Sequence, residues 1–155
     1  MAKSIDKLEF EANIDEYAVC LNCRLTVGEF VGRGEAWFNT SDILTFCDSL
    51  SRLASDMSGQ CEIIGSNQKP DGSEYLELLG LRCYVLSASK LNGIIGIHAS
   101  ISHSPYTDCR KEEIQSVVGE LQARNGHVRE FANQLLKLAE GSQKQATLFG
   151  DLDRH

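Results

Sequence analysis

Leu8, Phe10, Ala12 and Ile14 alternate with Lys7, Glu9, Glu11 and Asn13, the period of a strand with one wet face. Tyr17, Val19, Leu21, Cys23, Leu25 and Val27 alternate with Ala18, Cys20, Asn22, Arg24 and Thr26 and predict a second strand. A turn at Val27-Gly28 leads into a third, from Glu29 to Phe38. Asn39-Thr40-Ser41-Asp42 supplies helix-capping chemistry. Ile43, Phe46, Cys47, Leu50, Leu53 and Ala54 follow at helical spacing, with an end expected near Met57.

Cys61 to Gly65 reads as a short strand and Asn67 to Gly72 as a loop carrying Pro70-Asp71-Gly72. Tyr75 to Ala88 is long and β-rich, with Gly80 a candidate bulge. Asn92-Gly93 predicts a two-residue type I′ turn that pairs Leu91 with Ile94. That register puts Tyr84, Leu86, Ala88, Ile95, Ile97, Ala99 and Ile101 on one face. Val85, Ser87, Ser89, Gly96, His98 and Ser100 fall on the other.

Residues 114–138 fit one long helix by spacing alone, but Asn125-Gly126 would break its middle. An internal repeat decides the matter. At a constant offset of 85, Gly34-Glu35 returns as Gly119-Glu120, Ile43 as Val128, Phe46 as Phe131, Leu50 as Leu135, Leu53 as Leu138 and Ala54 as Ala139. The second copy is therefore expected to be a strand from Glu112 to Ala123, a cap at Asn125 and a helix from Gly126 to Glu140. These halves predict a two-layer α+β domain over residues 1–141, one antiparallel sheet with two helices on one face. Residues 142–155 read as a flexible tail.

A chain of 155 residues is one domain by length. Its net charge of −7 gives no general attraction for phosphate backbones, so no direct nucleic-acid partner is expected. No apolar run has spanning length and the first residues show no export signal, so no membrane association is expected and the setting reads as cytoplasmic. The six cysteines then read as reduced. Cys20-Leu21-Asn22-Cys23 has CxxC spacing, but in a strand its two thiols point to opposite faces.

The order of elements resembles the WapI-type immunity proteins of bacterial polymorphic toxin systems. The likeness is carried by Gly34-Glu35-Ala36-Trp37-Phe38 and by Asp42-Ile43-Leu44 with Phe46, Leu50 and Leu53. Cys61-Glu62-Ile63-Ile64-Gly65, Gly93-Ile94-Ile95-Gly96-Ile97 and the closing strand with its Leu-rich helix continue it. The resemblance implies a non-enzymatic protein that binds and neutralises a toxin domain, with no cofactor.

If both helices cover one face of the sheet, the other is free for a partner. Alternation assigns Arg24, Arg33, Glu35, Trp37, His98 and Ser100 to it, with Trp37 and Arg33 the leading candidates because Trp and Arg often dominate binding energy. Residues 1–58 carry five Lys/Arg against ten Asp/Glu, so −5 of the total −7 lies there and suits a basic partner. The tail offers a second reading. Gln145, Leu148 and Phe149 look like the Gln-x-x-Leu-Phe peptide by which bacterial replication and repair proteins bind the sliding clamp. A third places a small enzyme around His98, although no Gly-x-Ser-x-Gly elbow accompanies it. Gly28, Gly32 and Gly34 lie inside a strand rather than before a helix, which disfavours a nucleotide loop and suggests close helix–sheet packing. No catalytic residue or metal ligand set is assigned, and the oligomeric state is left open.

Overall fold

A computed structural model describes residues 5–68, 74–104 and 109–151. Chain order is β1 (Lys7–Ile14), β2 (Ala18–Val27), β3 (Phe30–Asn39), α1 (Thr40–Asp56), β4 (Gln60–Gln68), β5 (Glu74–Ser87), β6 (Ile94–His103), β7 (Gln115–Arg124), α2 (Asn125–Ala139) and β8 (Ala146–Phe149). The fold is α+β, but its strands make two four-stranded antiparallel sheets where the sequence suggested one. Their orders are β3-β2-β1-β8 and β4-β5-β6-β7. Pro70-Asp71-Gly72 lies outside the described residues.

The repeat is structural. β3 and β7 have the same bounds displaced by 85 residues, each is an edge strand, and each runs directly into its helix. Residues 114–138 are thus strand and then helix. The strand after each helix crosses to the other half's sheet: β4 follows α1 and pairs with β5, while β8 follows α2 and pairs with β1. β8 therefore occupies in the first sheet the place β4 holds in the second. The offset of 85 persists there, matching Gln60 with Gln145, Ile63 with Leu148 and Gly65 with Gly150.

This exchange corrects the expectation of a free tail. Leu8 pairs with Leu148 and Phe10 with Ala146, and Leu148 is only 2% exposed. Asp151 anchors the chain just beyond β8. Its carboxylate accepts the Arg124 N–H at 2.6 Å and lies 2.7 Å from His127 Nδ1, which places an anion at the start of α2. With Leu148 buried and paired to β1, Gln145, Leu148 and Phe149 are not presented as the free, extended peptide that the docking reading requires.

One core joins both sheets and both helices. Phe10 and Phe131 meet at a ring-centroid distance of 5.9 Å, and Ile43, Leu50, Val128 and Leu135 are fully buried. The glycines of β3 serve sheet-to-sheet contact rather than helix packing. A Cβ on Gly32 would stand 2.5 Å from Val117 Cγ2, and one on Gly34 2.2 Å from Ile101 Cγ2. Inner faces thus pack on one another, and the outer faces point away from the core.

Two local expectations also change. The β5–β6 connection is a loop through residues 88–93, not a two-residue turn, and Gly93 does not have a positive φ. A Cβ there would lie 2.3 Å from Met57 Cε and 2.2 Å from the Ser89 carbonyl, so close approach is what requires glycine. With the turn displaced, the pairing of β5 with β6 shifts by five residues, an odd number that turns the side chains of β5 over. Cys83 pairs with Ile97 and Val85 with Ile95, so Leu79, Leu81 and Cys83 face the core while Tyr84 faces outward. Gly80 is not the bulge, because the ladder slips between Gly65 and Ser66, past Leu78. Asn125 is not a cap but the first, buried residue of α2, and its amide donates to the carbonyls of Ala54 and Lys90. Among the described residues, no helix is long and apolar enough to cross a membrane.

Candidate functional site

The outer face of the first sheet follows from its register. Glu9 lies opposite Arg24, and Arg24 opposite Arg33; one step along, Glu11 faces Asn22 and Asn22 faces Glu35. Cys20 lies opposite Trp37 in a further row. Alternation alone turns these side chains outward, because Leu8, Phe10, Leu21, Cys23 and Leu25 occupy the inward positions. Arg24, Arg33, Glu35 and Trp37 are thus exposed on one face, with Trp37 57% accessible.

A groove of about 740 Å³ runs over this face, lined among others by Glu9, Glu11, Arg24, Arg33, Glu35 and His103. Like charges directly across a ladder repel, and Arg24 and Arg33 stand in that relation. Among the described residues neither arginine makes an ion pair. Glu9 Oε1 lies 3.7 Å from Lys7 Nζ, while Glu9 Oε2 is buried without a hydrogen-bond partner among the described residues. The Cys20 thiol donates to Glu35 Oε2 at 3.7 Å, and burial together with that carboxylate pushes its pKa up.

His98 and Ser100 are not part of this surface. They project from the outer face of the second sheet, where His98 lies between Arg82 and Glu120, and Ser100 between Gly80 and Val118. The six residues expected on one sheet face are divided four and two because the strands form two sheets. The residues around His98 are knitted together. Arg82 donates to Glu77 at 2.7 and 3.2 Å, which holds the Glu77 carboxyl below its ordinary range, and it also pairs with Glu62 at 3.5 Å. Tyr84 donates to Glu120, which also accepts from Gln122 at 2.9 Å. Glycine makes room for both pairs: a Cβ on Gly96 would lie 2.6 Å from the Tyr84 ring, and one on Gly80 2.6 Å from Glu77 Oε2.

No family model, curated protein or solved structure matches this chain. Its functional reading therefore rests on its own surface.

The sequence reading missed Glu9, Glu11 and His103 as groove residues. The two glutamates were legible as outward positions of β1, and strand pairing with β2 was all that was needed to bring Glu9 beside Arg24. His103 reaches the groove only through the packing of one sheet on the other, for which the small side chains of Gly32, Gly34 and Ala36 were the available signal.

Proposed function

We propose that this chain is a non-enzymatic protein-binding module that holds a basic protein partner on the outer face of β1, β2 and β3. The mode of action is that of an immunity protein of the bacterial cytoplasm, occluding a cognate toxin domain.

The supporting observation is the set of unsatisfied polar groups in the groove. Buried polar atoms in folded proteins nearly always have partners, so Glu9 Oε2, without a hydrogen-bond partner among the described residues, supports a bond completed from outside the chain. Arg24 and Arg33 stand beside it without counter-ions among the described residues. A partner presenting lysine or arginine to Glu9, Glu11 and Glu35, and a carboxylate or carbonyl to the two arginines, satisfies all of them. Trp37 adds a large aromatic surface at the end of this face, of the type that anchors interfaces. The net charge of −7 favours encounter with a basic domain.

Capture from host lysate followed by hydrogen–deuterium exchange tests the assignment. The partner should be basic, should dissociate more readily as salt rises, and should slow exchange within residues 20–26 and 31–37. Slowed exchange confined to residues 80–84, 96–100 and 118–122 would transfer the site to the second sheet.

A further inference from the structure

Of the six cysteines, five are buried and Cys61 alone is partly exposed. Cys61 stands on β4 directly opposite Cys83 of β5, in a stretch where the register is unbroken from Gln60–Tyr84 to Ile63–Leu81. Residues directly opposed across an antiparallel ladder share a face and have Cα atoms about 4.5–5.5 Å apart, inside the window of about 4.4–6.8 Å that a disulfide spans. The ladder pairing thus places the two cysteines within the Cα separation of a disulfide.

Access is from one side. Cys61 lines a groove of about 270 Å³ between α1 and β4, with Asp42, Thr45, Phe46, Ser49 and Glu62 among its other walls. Cys83 lies beneath it, 1% exposed. The neighbouring Cys83 thiol holds Cys61 below the ordinary thiol value, while the contact with Cys61 and then burial raise Cys83 well above it. An accessible thiol with the larger thiolate fraction, backed by a hidden second thiol, is the arrangement of a nucleophile and its resolving partner.

We propose that Cys61 and Cys83 form a thiol–disulfide exchange site for low-molecular-weight disulfides. The Cys61 thiolate attacks one sulfur of the small disulfide, forming a mixed disulfide and releasing one small thiolate. Cys83 then attacks Cys61 Sγ as its proton passes to the departing sulfur, and the second small thiol leaves. Two protein thiols are oxidised and one external disulfide is reduced to two thiols. Asp42 in the groove wall favours a cationic disulfide such as cystamine over the anionic glutathione disulfide, while Glu62 beside it is paired with Arg82. The product staples the edge strand β4 to β5 and closes the chain between residues 61 and 83, which raises the unfolding midpoint.

The test treats the full chain with cystamine or glutathione disulfide, quenches by alkylation, and reads intact mass and peptide map. The expected product has lost two hydrogens and joins the Cys61 and Cys83 peptides, with cystamine reacting faster at low salt. Cys83→Ala should stop at the mixed disulfide on Cys61, and Cys61→Ser should leave Cys83 unmodified. The unfolding midpoint of each variant, measured before treatment, establishes that it is folded. A Cys61 adduct that persists in the unsubstituted chain, or a disulfide elsewhere, overturns the proposal. Equal rates for the two reagents at low salt remove the assigned preference for cations.

Discussion

Gly34 of β3 lies against Ile101 of β6 so closely that a Cβ on the glycine would stand 2.2 Å from Ile101 Cγ2. This contact lets the first sheet lie on the second, and it keeps Arg33 and Glu35, on either side of Gly34, on the outward face. Gly34→Ala should therefore destabilise the protein by about 1–3 kcal/mol through overpacking. Ile101→Ala should cost less in the Gly34→Ala background than alone, because it removes the methyl that clashes. Urea unfolding of the double-mutant cycle checks this, and additive costs would mean that the two residues are not in contact.

The closing strand should be structural. Leu148→Ala should cost about 2–5 kcal/mol, since it empties a buried position beside Leu8. Removing residues 145–155 should cost more, because Ala146, Leu148 and the Asp151 contacts at the start of α2 go together. Thermal unfolding measures both. An unchanged midpoint in the truncated chain would show that β8 contributes nothing.

The repeat was legible as far as Ala139, and it gave β7 and α2 as strand and then helix, with ends one to three residues from the observed Gln115–Arg124 and Asn125–Ala139. It lapses beyond Gly141 because residues 56–59 and 141–144 share nothing, and Leu148-Phe149 also fits a short peptide pattern. Past that gap the same offset aligns β8 with β4. The outward positions of β2 and β3 were also legible, since alternation with Leu21, Leu25, Ala36 and Phe38 fixes them. The partition into two sheets was not. Local patterning carries no information on which strand a sequence-distant strand will join, and here each post-helical strand joins the other half. The slip in β5 has a different origin: Asn92-Gly93 carries the turn signal, but Gly93 is glycine for its contacts with Met57 and Ser89.

Acid should act through Glu77. Hydrogen bonds from Arg82 chiefly hold its carboxyl below the ordinary range. On acidification the unfolded chain takes up this proton first. The contribution to stability is complete above the unfolded value of about 4.3 and is lost as pH falls through the lower folded value. Carboxyl carbon shifts should place the Glu77 midpoint below that of a free glutamate and move it upward in Arg82→Gln. An unmoved midpoint would mean that Arg82 is not the cause.

Alkali should act through Tyr84. Burial first, and then the bond to Glu120, push its pKa up to about 12. The stability this represents is fully present below the unfolded value of about 10 and is lost as pH rises through about 12. Phenolate absorbance, with Tyr84→Phe as the difference standard, should show the shift, and Glu120→Gln should reduce it. A Tyr84 that titrates at the ordinary phenol value of about 10 would contradict the pairing.

The docking face is tested most directly at Trp37, the single tryptophan of the chain. Its side chain is 57% exposed, outward of the core, so removing it should leave folding nearly untouched. The deciding measurement is the dissociation constant of the captured partner for the unsubstituted chain and for Trp37→Ala, beside the unfolding midpoint of each. Weakening by about thirtyfold, the equivalent of about 2 kcal/mol, with midpoints that coincide, is the result expected of a binding anchor. Unchanged affinity, or an affinity loss matched by a loss of stability, would contradict a partner held on this face.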